Sequence, residues 1–332
     1  MLFGEGGGKV NLERRHLFKL GFGAALMQAA APFSVMAETL KADKSYTDKL
    51  IDKYLKVSKL TLKVGAAKPF SAVHFTDTHV SMSDAKDILA GNERSLKLYE
   101  ARRPRFPISL QTLAATIAYA ERGNMPLLNT GDLFDYQSDA NVSCVANSFA
   151  GRNVFSSLGN HESYGHHTRE MNPSNPAEAD ALRGKFEKAY AQKLIVASKV
   201  INGVNFVAFD NGGLQRWYRK EQLESIKAEL KKNLPTVLMC HIPFDTPEMR
   251  AFVELKQSEK LKKPWKFKGG VGGYLQTEGD GKLFNEFRAH KDQIKAIICG
   301  HLHRQHESEW NGIPMIIGGG NFEGVAREIE FV

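Results

Sequence analysis

The chain has 332 residues, 42% of them hydrophobic and 25% charged, which excludes a disordered protein and suits one large α/β domain or two small ones. The net charge of +8 favours anionic partners but is too modest to indicate nucleic acid by itself. Three cysteines make no disulfide framework, and Cys240 and Cys299, each closing an apolar run, read as small buried thiols.

Residues 1–37 read as a targeting segment. The run Arg14-Arg15-His16-Leu17-Phe18-Lys19 precedes an apolar stretch from Leu20 to Met27 and an Ala-rich run to Ala31. Val35-Met36-Ala37 then places small or aliphatic residues at a cleavage site before Glu38. The arginine pair resembles the twin-arginine export signal of bacteria, with Glu13 where Ser or Thr is usual and Leu17-Phe18 in reversed order. The resemblance implies contact with the twin-arginine export machinery and a periplasmic protein. The apolar stretch is too short to span a membrane, so no stable span is expected after cleavage.

Residues 38–68 are Lys-rich with an irregular apolar face at Leu50, Ile51, Tyr54, Leu55 and Val57, and read as a lead-in arm. The domain is expected over 69–332. Phe70–Thr76 reads as a buried strand, 80–108 as a polar insertion, and Ser109–Arg122 as a helix stopped by Gly123. Short apolar strands come next at Pro126–Asn129 and Asn153–Leu158, then a helix from Ser174-Asn175-Pro176 to about Gln192. Leu194–Val200 and Val204–Phe209 flank Asn202-Gly203, a hairpin signal. Arg219–Lys232 reads as an amphipathic helix and Thr236–Cys240 as a strand. A second insertion covers 244–280. It carries lysines 256, 260, 262, 263, 266 and 268 around Trp265 and Phe267, a candidate anion patch, and ends in a glycine run at 269–273. Ile294–Ile298 reads as a strand, and Arg304–Trp310 with Ile313–Ile317 as a hairpin turning at Asn311-Gly312.

Five motifs interrupt this pattern, each just after an apolar run: Asp77-Thr78-His79, Gly131-Asp132-Leu133-Phe134-Asp135, Gly159-Asn160-His161-Glu162, His241, and Gly300-His301-Leu302-His303. Ligand sites in open α/β sheets form beyond the carboxyl ends of the strands, so these segments can converge at one edge. Carboxylates and imidazoles without clustered thiolates suit manganese, iron or zinc rather than a structural Cys-zinc site. Two such ions about 3.5–4 Å apart form the usual apparatus for in-line attack on a phosphoester.

Over about residues 70–320 the five motifs, in this order, resemble the calcineurin-like metallophosphoesterase superfamily. The resemblance implies a four-layer α/β/β/α sandwich of two mixed sheets with two metals at one end. It implies that Asp77, His79 and His303 bind one metal, Asn160, His241 and His301 the other, and that Asp132 bridges them. It implies attack by a metal-bridging hydroxide on phosphomonoesters or small phosphodiesters. His161 would then be the general acid, and Asp135 its orienting partner. Serine/threonine protein phosphatases have Arg-Gly where Tyr136-Gln137 stand here. Purple acid phosphatases have a tyrosine ligand where Asp135 stands and lack a histidine at the place of His79.

Rival expectations are a nuclease, a phospholipid-directed phosphodiesterase, or a non-catalytic interaction module on the same fold. Loss of ligands usually marks such a module, and every ligand is present here. His74, His16, His290 and His306 read as core or surface residues, and His166 and His167 as part of a polar loop. Arg152 and Asn211, at strand margins, are candidates for phosphate contact.

Overall fold

The computed structural model describes residues 44–84, 93–163, 175–267, 273–279 and 281–332. The targeting segment, His166, His167 and most of the glycine run at 269–273 lie outside these residues. The first elements are helix α1 (Lys44–Tyr54), strands β1 (Lys56–Leu62) and β2 (Phe70–Phe75), and helices α2 (Glu93–Arg102) and α3 (Ser109–Arg122). Next come β3 (Leu127–Thr130), α4 (Asp139–Phe149), β4 (Val154–Ser157), the single turn α5 (Asn160–Ser163), and α6 (Pro176–Tyr190). The second half contains β5 (Val196–Ile201), β6 (Val204–Phe209), α7 (Gln215–Leu230), β7 (Thr236–Met239), α8 (Pro247–Leu261) and α9 (Lys282–Ala289). It closes with β8 (Ile294–Cys299), β9 (His306–Trp310), β10 (Ile313–Ile317) and β11 (Val325–Phe331). Among the described residues no helix is long and apolar enough to cross a membrane.

Two mixed sheets result, ordered β1-β11-β2-β3-β4 and β5-β6-β7-β8-β10-β9. Strands β2, β3 and β4 are parallel, as are β6, β7, β8 and β10. Successive side chains on a strand face opposite ways, and here both faces are buried. Phe206, Ala208, Val237, Met239, Ala296 and Ile298 pack with Ala72, Leu128 and Phe155 between the sheets. Their alternates Val207, Phe209, Leu238, Cys240, Ile297 and Cys299 pack outward with α7, α8 and α9. Val73, Phe75 and Leu127 do the same against α3, α4 and α6. This is the α/β/β/α sandwich, and it explains why the central strands read as unbroken apolar runs.

Local chemistry sets the boundaries. Asn175 caps α6 by accepting from Glu178 N–H at 3.0 Å, and Pro176 sits in the first turn. Both hairpins turn on Asn-Gly pairs with positive φ (Asn202 46°, Gly203 84°; Asn311 51°, Gly312 78°), the geometry that matches strand twist.

The segment expected as a lead-in arm is part of the sandwich from Lys44 onward. Helix α1 buries Leu50 beside Ala114 and Ala115 of α3 and buries Ile51 as well, and β1 lies parallel to β11 over seven residue pairs. The insertions also contain regular elements. The first holds α2, and the second holds α8, capped by Thr246. Trp265 and Phe267 of the candidate anion patch pack against the outer core, and Lys266 pairs with Glu254 at 3.1 Å.

Candidate metal centre

The motif residues succeed the carboxyl ends of β2, β3, β4, β7 and β8, and all gather at one edge. The loops after β2 and β3 stay paired: Asp77 N–H donates to Gly131 O (2.9 Å), and His79 N–H to Asp132 O (3.0 Å). Gly300 N–H donates to His241 O at 2.9 Å, joining the loops after β8 and β7. Asp77, His79, Asp132, His301 and His303 all have φ between 52° and 70°. Left-handed backbone is uncommon outside glycine, and its recurrence in one cluster marks strain held by surrounding structure. Gly131 allows a close approach at a positive φ of 93°: a Cβ there would lie 2.5 Å from Gly159 N and 2.8 Å from His241 Nδ1.

One group comprises Asp77, His79, Asp132 and His303. His79 Nε2 lies 3.0 Å from His303 Nε2 and 3.8 Å from both Asp77 Oδ1 and Asp132 Oδ2. His303 Nε2 is 3.2 Å from Asp77 Oδ1, a buried oxygen with no hydrogen-bond donor among the described residues. A second group comprises Asp132, His241 and His301. His241 Nε2 lies 3.2 Å from Asp132 Oδ2, 3.1 Å from Asn160 Oδ1 and 3.2 Å from His301 Nδ1. Asp132 belongs to both groups. The seven expected ligands are therefore brought together.

Outer partners fix the histidine tautomers. His241 Nδ1–H donates to Thr130 O at 2.7 Å, and His301 Nε2–H to Gly273 O. His79 Nδ1–H donates to the Asp135 carboxylate at 3.2 Å. Of the remaining nitrogens, His79 Nε2 faces His303 Nε2 and the Asp77 and Asp132 carboxylates, and His241 Nε2 faces His301 Nδ1 and Asp132. Acceptors so crowded repel unless protons or cations lie between them. Donors on one ion with bonds of about 2.0–2.2 Å lie roughly 3–3.6 Å apart, close to the spacings seen. The residues fit a metal centre.

The electrostatics agree. Burial disfavours a charged Asp132, yet His241 and His161 outweigh it and hold its carboxyl well below the usual range. Burial also opposes protonation of His241, but Asp132 raises it to about 10. Burial, with His241 beside it, lowers His301 to about 3.

Asp135 is expected to orient His161, and its contacts are wider. The nearest acceptor for His161 Nδ1–H is the Asp135 main-chain O at 2.7 Å, with carboxylate Oδ1 at 3.2 Å. The carboxylate also serves His79 and takes two bonds from Arg102, from Nε and Nη2, both at 2.6 Å. Burial raises Asp135, but Arg102 and the two histidines hold it far below the carboxylate range. The ring of Phe106 stacks on His79 at 4.5 Å, and Phe322 lies 5.1 Å from His303.

Sequence reasoning missed Arg102 and the role of Glu162. Arg102 ends a helix inside an apparent insertion, and no spacing ties it to the motifs. Glu162 is fully buried and receives N–H bonds from Asp132 (2.9 Å), Leu133 (2.6 Å), Phe134 (3.4 Å) and Gly159 (2.8 Å), and the Tyr190 hydroxyl at 3.1 Å. An acid directly after the Asn-His pair was its only signal. Neither candidate for phosphate contact points at the centre. Asn211 Oδ1 clamps His241 N–H and Ile242 N–H at 3.0 Å each, and Arg152 pairs with Glu121 at 2.7 Å. His74 is buried beneath the site, 2.8 Å from Thr130 Oγ1, while His306 stacks on Phe252.

The chain matches the calcineurin-like phosphoesterase family over residues 70–305. No curated protein sequence matches it. Among solved structures it resembles a dimetal phosphatase from Danio rerio (14% identity, TM-score 0.45, 76% of this chain and 88% of that one). It also resembles the phosphopantetheinyl hydrolase of Mycobacterium tuberculosis (13%, TM-score 0.41, 76% and 90%). A third is a cold-active protein-tyrosine phosphatase of a Shewanella species (14%, TM-score 0.31, 82% and 76%). With the family match spanning all five motifs, the chain belongs to the calcineurin-like phosphoesterases and is a metal-dependent phosphoric ester hydrolase.

Proposed function

We propose that this protein hydrolyses phosphomonoesters or small phosphodiesters with two transition-metal ions, manganese, iron or zinc. One observation carries the reading: inward histidine lone pairs, locked by outer acceptors, converge with Asp77 and Asp132. Asp77, His79 and His303 would hold one ion, Asn160, His241 and His301 the other, and Asp132 both. When bound, such a pair supplies a nucleophile from water near neutral pH and positive charge for the phosphoryl oxygens.

The chain's own residues supply the rest. His161 protonates the leaving oxygen from Nε2, because Nδ1–H is committed to Asp135 O. Burial opposes its charge, yet Asp132 and Asp135 raise it to about 9. Cations held by Asp132 would offset that carboxylate and bring His161 toward neutrality, where a general acid works best. Asp135 does not take the proton, because Arg102 keeps it ionised. Phe106 and Phe322 wall the His79 side against water.

Chromogenic phosphomonoester and phosphodiester substrates test this with the mature protein reconstituted with Mn, Fe or Zn, beside Asp132→Asn. Metal-dependent turnover that is lost in the variant supports the reading, and the substrate ratio separates the two ester classes. Turnover that survives in Asp132→Asn contradicts it. The proposal includes export by the twin-arginine route, supported by residues 14–37. Replacing Arg14 and Arg15 by lysine should retain the protein in the cytoplasm, as fractionation would show.

A further inference from the structure

Helix α8 brings a charged face to the open side of the metal centre. The His303 side chain is 32% exposed, whereas Asp77, His79, Asp132 and His241 are at 1% or less. His303, like His301, lies on the side of the centre that solvent reaches. Residues 304–308 run along α8. Glu248 accepts from Ser308 Oγ at 2.7 Å and lies 3.2 Å from His306 Nε2, Phe252 stacks on His306 at 4.1 Å, and Glu259 pairs with Arg304 at 2.6 Å. The helix thus advances toward His303 as it nears its C-terminus.

Positions 248, 252, 256 and 259 have helical spacing and share one face. Lys256 stands on that face between Phe252 and Glu259. Its charge interacts with Lys260, Asp77, Arg304 and Glu323. Glu323 adjoins Phe322, whose ring lies against His303. Lys256 is half-buried, and among the described residues its ammonium has no hydrogen-bond or ion-pair partner. Arg304, by contrast, is engaged by Glu259. A cation held partly out of water without a counter-ion is costly, and an incoming anion relieves that cost. Burial, reinforced by Lys260, already lowers the Lys256 pKa.

We propose that Lys256 binds a second anionic group of the substrate, a carboxylate or further phosphate beyond the scissile phosphoryl group. It thereby selects phosphoesters with a charged tail. This rests on the reading of the centre as a phosphoester site. The phosphoryl charge is met at the centre itself, and Lys256, on the α8 face that runs beside residues 304–308, meets the charge at the other end of the substrate.

The test is calorimetric binding of two non-hydrolysable probes to the manganese-loaded protein. Phosphonopropionate and propylphosphonate have the same carbon chain, with and without a terminal carboxylate. The wild type should prefer phosphonopropionate by about tenfold, the scale of one charged hydrogen bond. Lys256→Met should abolish the preference and leave propylphosphonate binding unchanged. Lys256→Arg should retain it, as should Lys220→Met, an exposed lysine on α7. Equal binding of both probes by the wild type overturns the proposal. So does an equal loss of both in Lys256→Met, which would put Lys256 on the phosphoryl group. Binding of neither probe overturns the phosphoester reading as well, and is distinct from either result.

Discussion

Asp135 serves three groups at once: its carboxylate takes Arg102 and His79, and its carboxylate and main-chain O both face His161. Asp135→Asn keeps the carbonyl that holds His161 but weakens the acceptor that fixes the His79 tautomer, and it leaves Arg102 buried without a counter-charge. Outer-shell changes of this kind usually weaken metal binding about 10–100-fold. Asp135→Asn should do so in a metal titration, and wild-type affinity would mean that His79 does not depend on Asp135. Glu162 acts one layer further out, through the backbone of the Asp132 loop. Glu162→Gln sets an amide NH₂ against a cluster of N–H donors and should lower stability by about 1–3 kcal/mol. An unchanged melting temperature would contradict that role. The motif spacing made Asp77, Asp132 and the histidines legible. Arg102 was not legible, because its contact with Asp135 depends on how α2 folds back over 33 residues.

The central strands declared themselves because both faces are buried, and the Asn-Gly hairpins because only positive φ suits those turns. The sheet edge did not. Strand β1 carries Lys56 and Lys59, charges that protect an exposed edge and that read as an arm. Strand β11 sets Arg327 beside Glu328, which hides its alternation. Yet Leu62 and Val64 close the inter-sheet core over Ile329 and Phe331, Leu50 covers α3, and Ile51 is buried as well. Burying four such side chains contributes roughly 1.5–3 kcal/mol each, comparable in sum to the stability of a typical domain. Deletion of residues 1–64 should therefore prevent cooperative folding, while deletion of 1–43 should not. A cooperative melt of the shorter protein, matching its parent, would contradict the assignment of this segment to the domain.

For the molecule as a whole, the site couples metal, protons and stability. Without metal, His161 is raised to about 9 and His241 to about 10 from an ordinary 6.5. Groups whose folded pKa is raised contribute stability in full below about pH 6.5 and lose it as pH climbs through the folded values. His74 and His301 are lowered to about 3, so their contribution is present above about pH 6.5 and lost as pH falls. Metal-free protein should therefore melt highest near pH 6.5, to be read from melts between about pH 5 and pH 9. Metal ligation needs neutral imidazoles and should release protons and shift that maximum upward. A metal-free profile that keeps rising to pH 9 would contradict the assignment of His161 and His241.

In the proposed function Asp132 stands between two metal ions. Anomalous diffraction at the manganese edge, from crystals loaded with manganese alone, tests it most directly. Two peaks about 3.5–4 Å apart are expected, flanking the Asp132 carboxylate. One should lie among Asp77, His79 and His303, and the other among Asn160, His241 and His301. A single peak, or peaks away from Asp132, would contradict the account.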